Sequence, residues 1–474
     1  MKRLSVLAMA MIVMASCAKE NVQPNENNDQ SNILEIGLTS TKTALGEEIK
    51  EGNKSFFPIV WSEGDEIAVI ENMGVEGKQN VSVYRLKDGA GTANGVFEHI
   101  SGDAFPKVIT DVVYPASAVV PNSTLISEIP IVNVSSLVPK DQTQSYEEGN
   151  FDKNAAVMYF HRNNAADKIV MEPLSSIICI PIKGFDDNDV VTAVKWQNMD
   201  GRTATVTLNC PNGVKLAKGQ ATNFYLSIQP MLKDCNGIAY VYLKNGAIQV
   251  KTPRNLKAFQ AGTLHRFPEW TLSKKAKWTI LGYGSQRDAT TWEQVPLGPA
   301  QYMIDGNDLS WWESRRKPNS DNSKPVMAGQ HTFVIDLGSE QEIKGIKIKS
   351  KESKGSPEYD IKLKDGSDVL GKQSYNPPHT FHIGFTANVP SDAEINAFTK
   401  NKKLPAGTTQ TTFKSINENG INHYYGADKK TWWDNEIKPS ISARYVFIHF
   451  QYAWNNDGNG TAAPFEKIAE LDIY

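Results

Sequence analysis

Between Ile33 and Trp270 apolar residues alternate with polar ones in short runs, and the runs end at Gly, Pro, Asn or Asp. Alternation puts successive side chains on opposite faces of a strand, whereas a helix needs apolar residues every three or four positions. Leu34, Ile36 and Leu38 share one face of a first strand, and Ile67 and Val69 follow the turn Glu63-Gly64-Asp65. Val81, Val83, Val96, Phe97, Val112, Val113 and Tyr114 continue the pattern. No segment before residue 273 keeps a helical period, so this region predicts almost wholly β structure of the sandwich kind.

A length of 474 residues is enough for roughly three domains, each with its own core. Lys and Arg number 50 against 53 Asp and Glu. This balance excludes the basic field that a nucleic-acid partner requires. The N-terminus reads as a processing signal. Lys2 and Arg3 precede the apolar run Leu4 to Ala15, and Met14-Ala15-Ser16-Cys17 resembles a bacterial lipobox, with Met14 where Leu is usual. Residues 1–17 are therefore expected to be a lipoprotein signal with Cys17 as the lipidated residue. Multiple acyl chains anchor stably, which predicts a tether to a Gram-negative outer membrane, at the cell surface or on a fimbrium. The polar stretch 18–31 reads as a flexible tether. Of the other cysteines, Cys179 lies in an apolar run and reads as a buried strand residue. Cys210 and Cys235 could pair, which spacing alone leaves open, and no pair has zinc-site spacing.

Thr41-Lys42-Thr43-Ala44-Leu45 followed by Trp61-Ser62-Glu63-Gly64-Asp65-Glu66-Ile67 resembles the opening of the fimbrillin family of pilus subunits. Val113-Tyr114-Pro115-Ala116, the segment from Pro139 through Gln142 and Phe151-Asp152 to Met158, and Leu174 to Ile180 continue the likeness. The resemblance implies two tandem transthyretin-like β-sandwiches, set here at 32–142 and 143–273. It also implies assembly with other pilus subunits by strand exchange, in which a neighbour's strand completes an open groove. Two features depart from the family. No Arg stands between Arg3 and Arg85, where the processing cut is expected, and a further domain follows residue 273.

That further domain, residues 274–474, contains Ala300-Gln-Tyr-Met-Ile-Asp305-Gly-Asn-Asp-Leu-Ser310-Trp-Trp-Glu313. Asp305, Asn307, Asp308 and Ser310 gather oxygen-bearing side chains around Gly306, a plausible clip for a hard cation. The alternative reading of the same residues is an Asx-rich turn that binds only water. The stretch resembles the signature of the discoidin or coagulation-factor type C module. Phe333 to Gly338, Ala443 to Ile448 and Glu470 to Tyr474 match its later strands. The resemblance implies an all-β, galactose-binding-like jelly-roll sandwich that binds sugars or membrane surfaces without chemistry. It further implies a structural Ca²⁺ held by Asp305, Asp308, Ser310 and Glu470.

Seven of the ten tryptophans fall between Trp278 and Trp454. Trp278 and Trp312 read as core, while Trp454 with Asn455, and Trp432 or Trp433, are the candidates to stack on a sugar ring. Adjacent strand residues face opposite ways, so at most one of Trp432 and Trp433 enters a core. Arg315 and Arg316 could bind hydroxyls or carboxylates, or form a solvated charge pair. Between about Tyr375 and Lys430 the type C pattern is stretched by what reads as a long loop, with His379 and His382 as ordinary loop histidines.

The expected function is that of a non-enzymatic surface lipoprotein, a fimbrial tip or accessory adhesin that presents a glycan-binding module. The alternatives are a pilus anchor or structural subunit, and a surface glycan-binding lipoprotein of a polysaccharide-uptake system. A glycosidase would need two carboxylates flanking the bond, and only scattered acidic residues stand in the first two domains.

Overall fold

The computed structural model describes residues 33–38, 44–45, 49–51, 54–56, 59–71, 80–102, 109–119, 138–144, 152–164, 167–198, 205–231, 233–253, 255–284, 297–307, 310–313, 331–350, 359–362, 369–373, 380–414, 433–450 and 467–474. The fold is all-β, with one α-helix, Asp392–Asn401, among the described residues.

Seven strands of the first unit close into a ring. Ile33–Leu38 runs antiparallel to Asn94–Ser101 on one side and parallel to Ile169–Pro173 on the other. The Trp-Ser-Glu-Gly-Asp motif builds one end of its core. Gly64 adopts φ +78°, a left-handed turn that suits glycine, and the Ser62 N–H donates to Asp65 Oδ2 at 2.8 Å. The turn drops the Trp61 ring edge-on against Phe97 at 4.8 Å and Tyr114 at 5.7 Å. The Tyr114 hydroxyl then satisfies buried Asp65 at 3.1 Å.

Two expectations change here. The first unit is a closed ring, so its first strand already pairs on both edges. A boundary at 142/143 also does not follow the sheets. Met158–His161 and Ile169–Pro173 complete the ring, while Asp141–Thr143 crosses to pair with Thr205–Lys215 of the second unit. Strand alternation predicts a strand but not which sheet receives it.

The second unit packs a five-stranded sheet on a four-stranded one around Trp196, Phe224, Phe259 and Phe267. Ser176–Lys183 serves two cores. Ile178, Ile180 and Ile182 face the second core, and Cys179 with Tyr225 of the paired strand faces the first. All three cysteines described are free thiols, Cys210 and Cys235 included. Burial pushes the Cys179 thiol up to about 11 and the Cys210 thiol up to about 12, so both stay protonated and unreactive.

In the third unit two long strands, Thr332–Ser350 and Trp433–Phe450, bend so that each serves both faces of a sandwich. Thr332 to Asp336 pairs with Tyr445 to His449 on one face, and Gln341 to Ile348 pairs with Trp433 to Ala443 on the other. The corner lies at Gly338, φ +82°. Arg444 clamps it with a fork onto Asp336, both bonds at 2.8 Å. Trp278, Trp312, Phe333 and Ile335 fill the core, as the sequence predicts for both tryptophans.

Candidate functional site

The Asp305 loop lies at the joint between the second and third units. The Val250 N–H donates to the Asp305 carbonyl at 3.2 Å, and Tyr302 packs beside Tyr240 with ring centroids 6.3 Å apart. Nearby, Lys277 bridges Asp186 at 2.8 Å and Asp189 at 2.6 Å in the second unit. Asp305 itself is buried. Its Oδ1 accepts the Asn307 N–H at 2.8 Å, and its Oδ2 accepts the Ser310 hydroxyl at 2.6 Å. These are the bonds of an Asx turn.

Glu470 faces the same spot and is also buried, and its carboxylate is bonded by the ammonium of Lys275. Lys275 sits in the 3₁₀ turn Lys274–Lys277 that leads into the third unit, and it is buried too. Burial, and then the neighbouring Glu470 charge, push the Asp305 carboxyl well above its usual range. Burial likewise raises Glu470 to about 7, against the pull of Lys275. Two carboxyls and one ammonium thus share a dry pocket.

A Ca²⁺ ion needs about six to eight oxygens. Here the ammonium already takes Glu470, the Ser310 hydroxyl is turned to donate to Asp305, and no group of three His, Cys, Asp or Glu ligands forms among the described residues. The structure brings Asp305, Ser310 and Glu470 together, with the Lys275 ammonium on one Glu470 oxygen and Glu470 Oε2 without a hydrogen bond among the described residues. Asp308 lies outside the described residues.

A second feature lies on the outer face of the third sandwich. The region read as a long loop is instead strand, helix and strand: Thr380–Thr386, Asp392–Asn401 and Thr409–Lys414. The helix starts on a reciprocal cap, with the Ser391 hydroxyl accepting from the Glu394 N–H and the Glu394 carboxylate accepting from the Ser391 N–H. It ends at Lys402, held left-handed at φ 61°. Its apolar side, Ile395 and Phe398, covers Val334, Tyr445 and Phe447, and Phe398 meets the Phe447 ring edge-on at 5.1 Å.

Strand alternation decides what else faces this helix. Ile383, Phe385, Val446, Ile448 and Phe450 point into the sandwich core, so His382, Gly384, Phe447 and His449 point outward. His382 lies opposite His449 across the sheet, with rings parallel and centroids 5.6 Å apart. The His382 ring is held at Nδ1 by Thr412 Oγ1 at 2.9 Å. Gln410 lies opposite Gly384. A side chain at Gly384 would collide with Leu404 and Thr408, since a Cβ there meets them at 2.6 and 2.7 Å.

Together these residues leave a cavity of about 290 Å³ under the end of the helix. His382, His449, Gln410 and Lys402 give it polar walls, and Phe398 and Leu404 give it an apolar side. Burial, and then the Lys402 charge, hold His449 down to about 3 and His331 down to about 4. At neutral pH both imidazoles are therefore neutral, able to donate and to accept one hydrogen bond each.

Sequence reasoning missed both Lys275 and this cavity. The reading of His382 as a loop histidine is corrected, because Phe381-His382-Ile383-Gly384-Phe385 is a strand whose alternation was visible in the residues. Trp433 opens the strand Trp433–Phe450. Cys17, Arg315, Arg316, Trp432, Trp454, Asn455 and His379 lie outside the described residues.

No family model matches the chain, and no curated protein matches it. Solved structures do. The C-terminal domain of a chitobiase from Bacteroides fragilis is similar at 20% identity and a TM-score of 0.25, over 43% of this chain and 95% of that one. The module CBM32-3 from a family 31 glycoside hydrolase of Clostridium perfringens is similar at 14% identity and a TM-score of 0.25, over 43% and 93%. A SusE-like protein is similar at 12% identity and a TM-score of 0.26, over 63% and 95%.

Proposed function

We propose that this protein is a non-enzymatic, lipid-anchored surface protein whose third unit binds a glycan. Two N-terminal β units and a polar tether would hold that unit away from an outer membrane. The observation that carries the reading is the outer-face cavity. Its 290 Å³ is near the lower end of ligand pockets, roughly 300–1,000 Å³, and suits one sugar ring. Planar polar groups from His382, His449 and Gln410 can meet ring hydroxyls, while Phe398 and Leu404 offer hydrocarbon to a C–H face.

Among the described residues, none that lines the cavity is Asp or Glu. Glycoside hydrolysis normally takes two carboxylates across the bond, so binding without hydrolysis is the reading this cavity supports. A shallow site with a few hydrogen bonds binds weakly, and display of many copies on a surface would raise the effective affinity.

The fimbrial role, whether tip adhesin or anchor, finds less support. The first unit's closed ring has no free edge to accept a donated strand, so exchange would require Ile33–Leu38 to leave it. Membership of a polysaccharide-uptake system fits the same binding site equally well.

Calorimetric titration of the full chain with a panel of neutral and acidic monosaccharides and short oligosaccharides tests the reading. Saturable binding that Gln410→Ala and His382→Ala each weaken about tenfold, the loss of roughly one hydrogen bond of 1.4 kcal/mol, is expected. Binding to none of the panel, or turnover of any member, contradicts it.

A further inference from the structure

The charge of this cavity is unbalanced. Among the described residues, Lys402 lines it, no lining residue is acidic, and Lys402 makes no ion pair. The two ring partners at its floor, His382 and His449, cannot supply a negative charge in either protonation state. The C-terminus of the helix Asp392–Asn401 offers at most about half a unit of negative charge, so the site stays net positive.

The position of Lys402 is also fixed. Its N–H caps the helix by donating to the Phe398 carbonyl at 2.8 Å, and its left-handed backbone turns the chain back over the sheet toward Leu404. This fixed backbone roots the Lys402 side chain on a capped helix end, beside a cavity of one-ring size, within reach of an anion bound there.

From this geometry we infer that the cavity is selective for a sugar ring that carries a carboxylate, a hexuronic acid or its terminal residue in a polysaccharide. The inference rests on the glycan-binding reading and narrows its ligand. The Lys402 ammonium meets the carboxylate, and Gln410, His382 and His449 meet the ring hydroxyls. The charge on Lys402 is felt inside the site, since it helps to keep His449 and His331 unprotonated.

Calorimetry on the full chain with D-glucuronate and D-galacturonate, each against its neutral hexose, tests it, with sodium sulfate as an anion lacking the ring. The uronates should bind at least tenfold more tightly than the hexoses, and the advantage should shrink as salt rises. Lys402→Asn keeps a residue that tolerates the left-handed backbone; it should abolish the advantage of each uronate over its own hexose. Lys402→Arg should retain the advantage, and unchanged melting of both variants shows that they fold. Equal binding of uronate and hexose, or an advantage that survives Lys402→Asn, overturns the inference while the glycan reading stands. Sulfate binding as tightly as uronate also overturns it. Binding of neither sugar overturns both readings together.

Discussion

The Asp305 loop and the cavity under the helix Asp392–Asn401 lie in the same sandwich and use the same kinds of polar groups, yet they end in opposite states. In the loop, Asp305, Ser310 and Glu470 turn inward at a joint between units, and Lys275 arrives from the adjoining turn to balance them. In the cavity, Lys402, His382 and His449 stand around open space, with no carboxylate lining it among the described residues. The first set is bonded within its own chain, with Glu470 Oε2 the exception, and the second surrounds space that a ligand can enter. A dense run of ligand-type residues is therefore a poor guide to a site unless the structure also leaves room for a ligand.

Substitutions at the two lysines should separate these states most sharply. Lys275→Met leaves two buried carboxyls without their counter-charge. Removing one partner of a buried pair costs about 3–5 kcal/mol, so chemical denaturation of the full chain should show a loss of that order. Lys402→Asn, at a half-buried position without an ion pair among the described residues, should change stability by less than about 0.5 kcal/mol. Equal effects of the two substitutions would erase the contrast.

Acidity should act on the two regions with opposite sign. His331 and His449 fall from 6.5 to about 4 and about 3 on folding, because burial disfavours their charged form. Their contribution is complete above pH 6.5 and drains away as pH falls through the window down to those values. Glu470 rises from 4.5 to about 7, also through burial. Its contribution is complete below pH 4.5 and is lost as pH rises through 7. Melting of the full chain should weaken on acidification below 6.5, and His449→Phe should flatten that limb. Glu470→Gln should flatten the change between 4.5 and 7 that runs in the other direction. A curve that neither substitution alters would contradict the assignment.

The smallest effect concerns calcium. With Lys275 beside Glu470, addition of Ca²⁺ or of chelator should leave the melting temperature within about 1 °C of its starting value. A rise of several degrees with Ca²⁺, reversed by chelator, would return Asp305, Asp308, Ser310 and Glu470 to the role that the type C resemblance implies.

Much of the fold was legible because strand alternation is a local signal. It marked the first two units as β, while the likeness to the type C module placed Trp312 in a core and made Phe333 to Gly338 a strand and turn. What it could not carry was pairing over distance. Lys275 and Glu470 meet across 195 positions, and nothing in either neighbourhood names the other. The same limit moved the boundary between the first two units, since Met158–His161 looks like any strand until the ring closes around it. The helix was obscured for a different reason. Only Ile395 and Phe398 face the sheet from its centre, too few to set a period, and Pro377-Pro378 with the polar stretch beyond drew the region toward a loop. Its Ser391 and Glu394 cap was the one local sign of it.

The central claim is that the third unit binds saccharide in the cavity under the helix. A glycan array probed in parallel with the full wild-type chain and with Gln410→Ala tests it most directly, once equal melting has shown that both are folded. The account predicts a defined set of glycans bound by the wild type, with signal from the variant reduced on every one of them. An unchanged pattern in the variant would place recognition elsewhere in the molecule, and an empty array for the wild type would contradict glycan binding altogether.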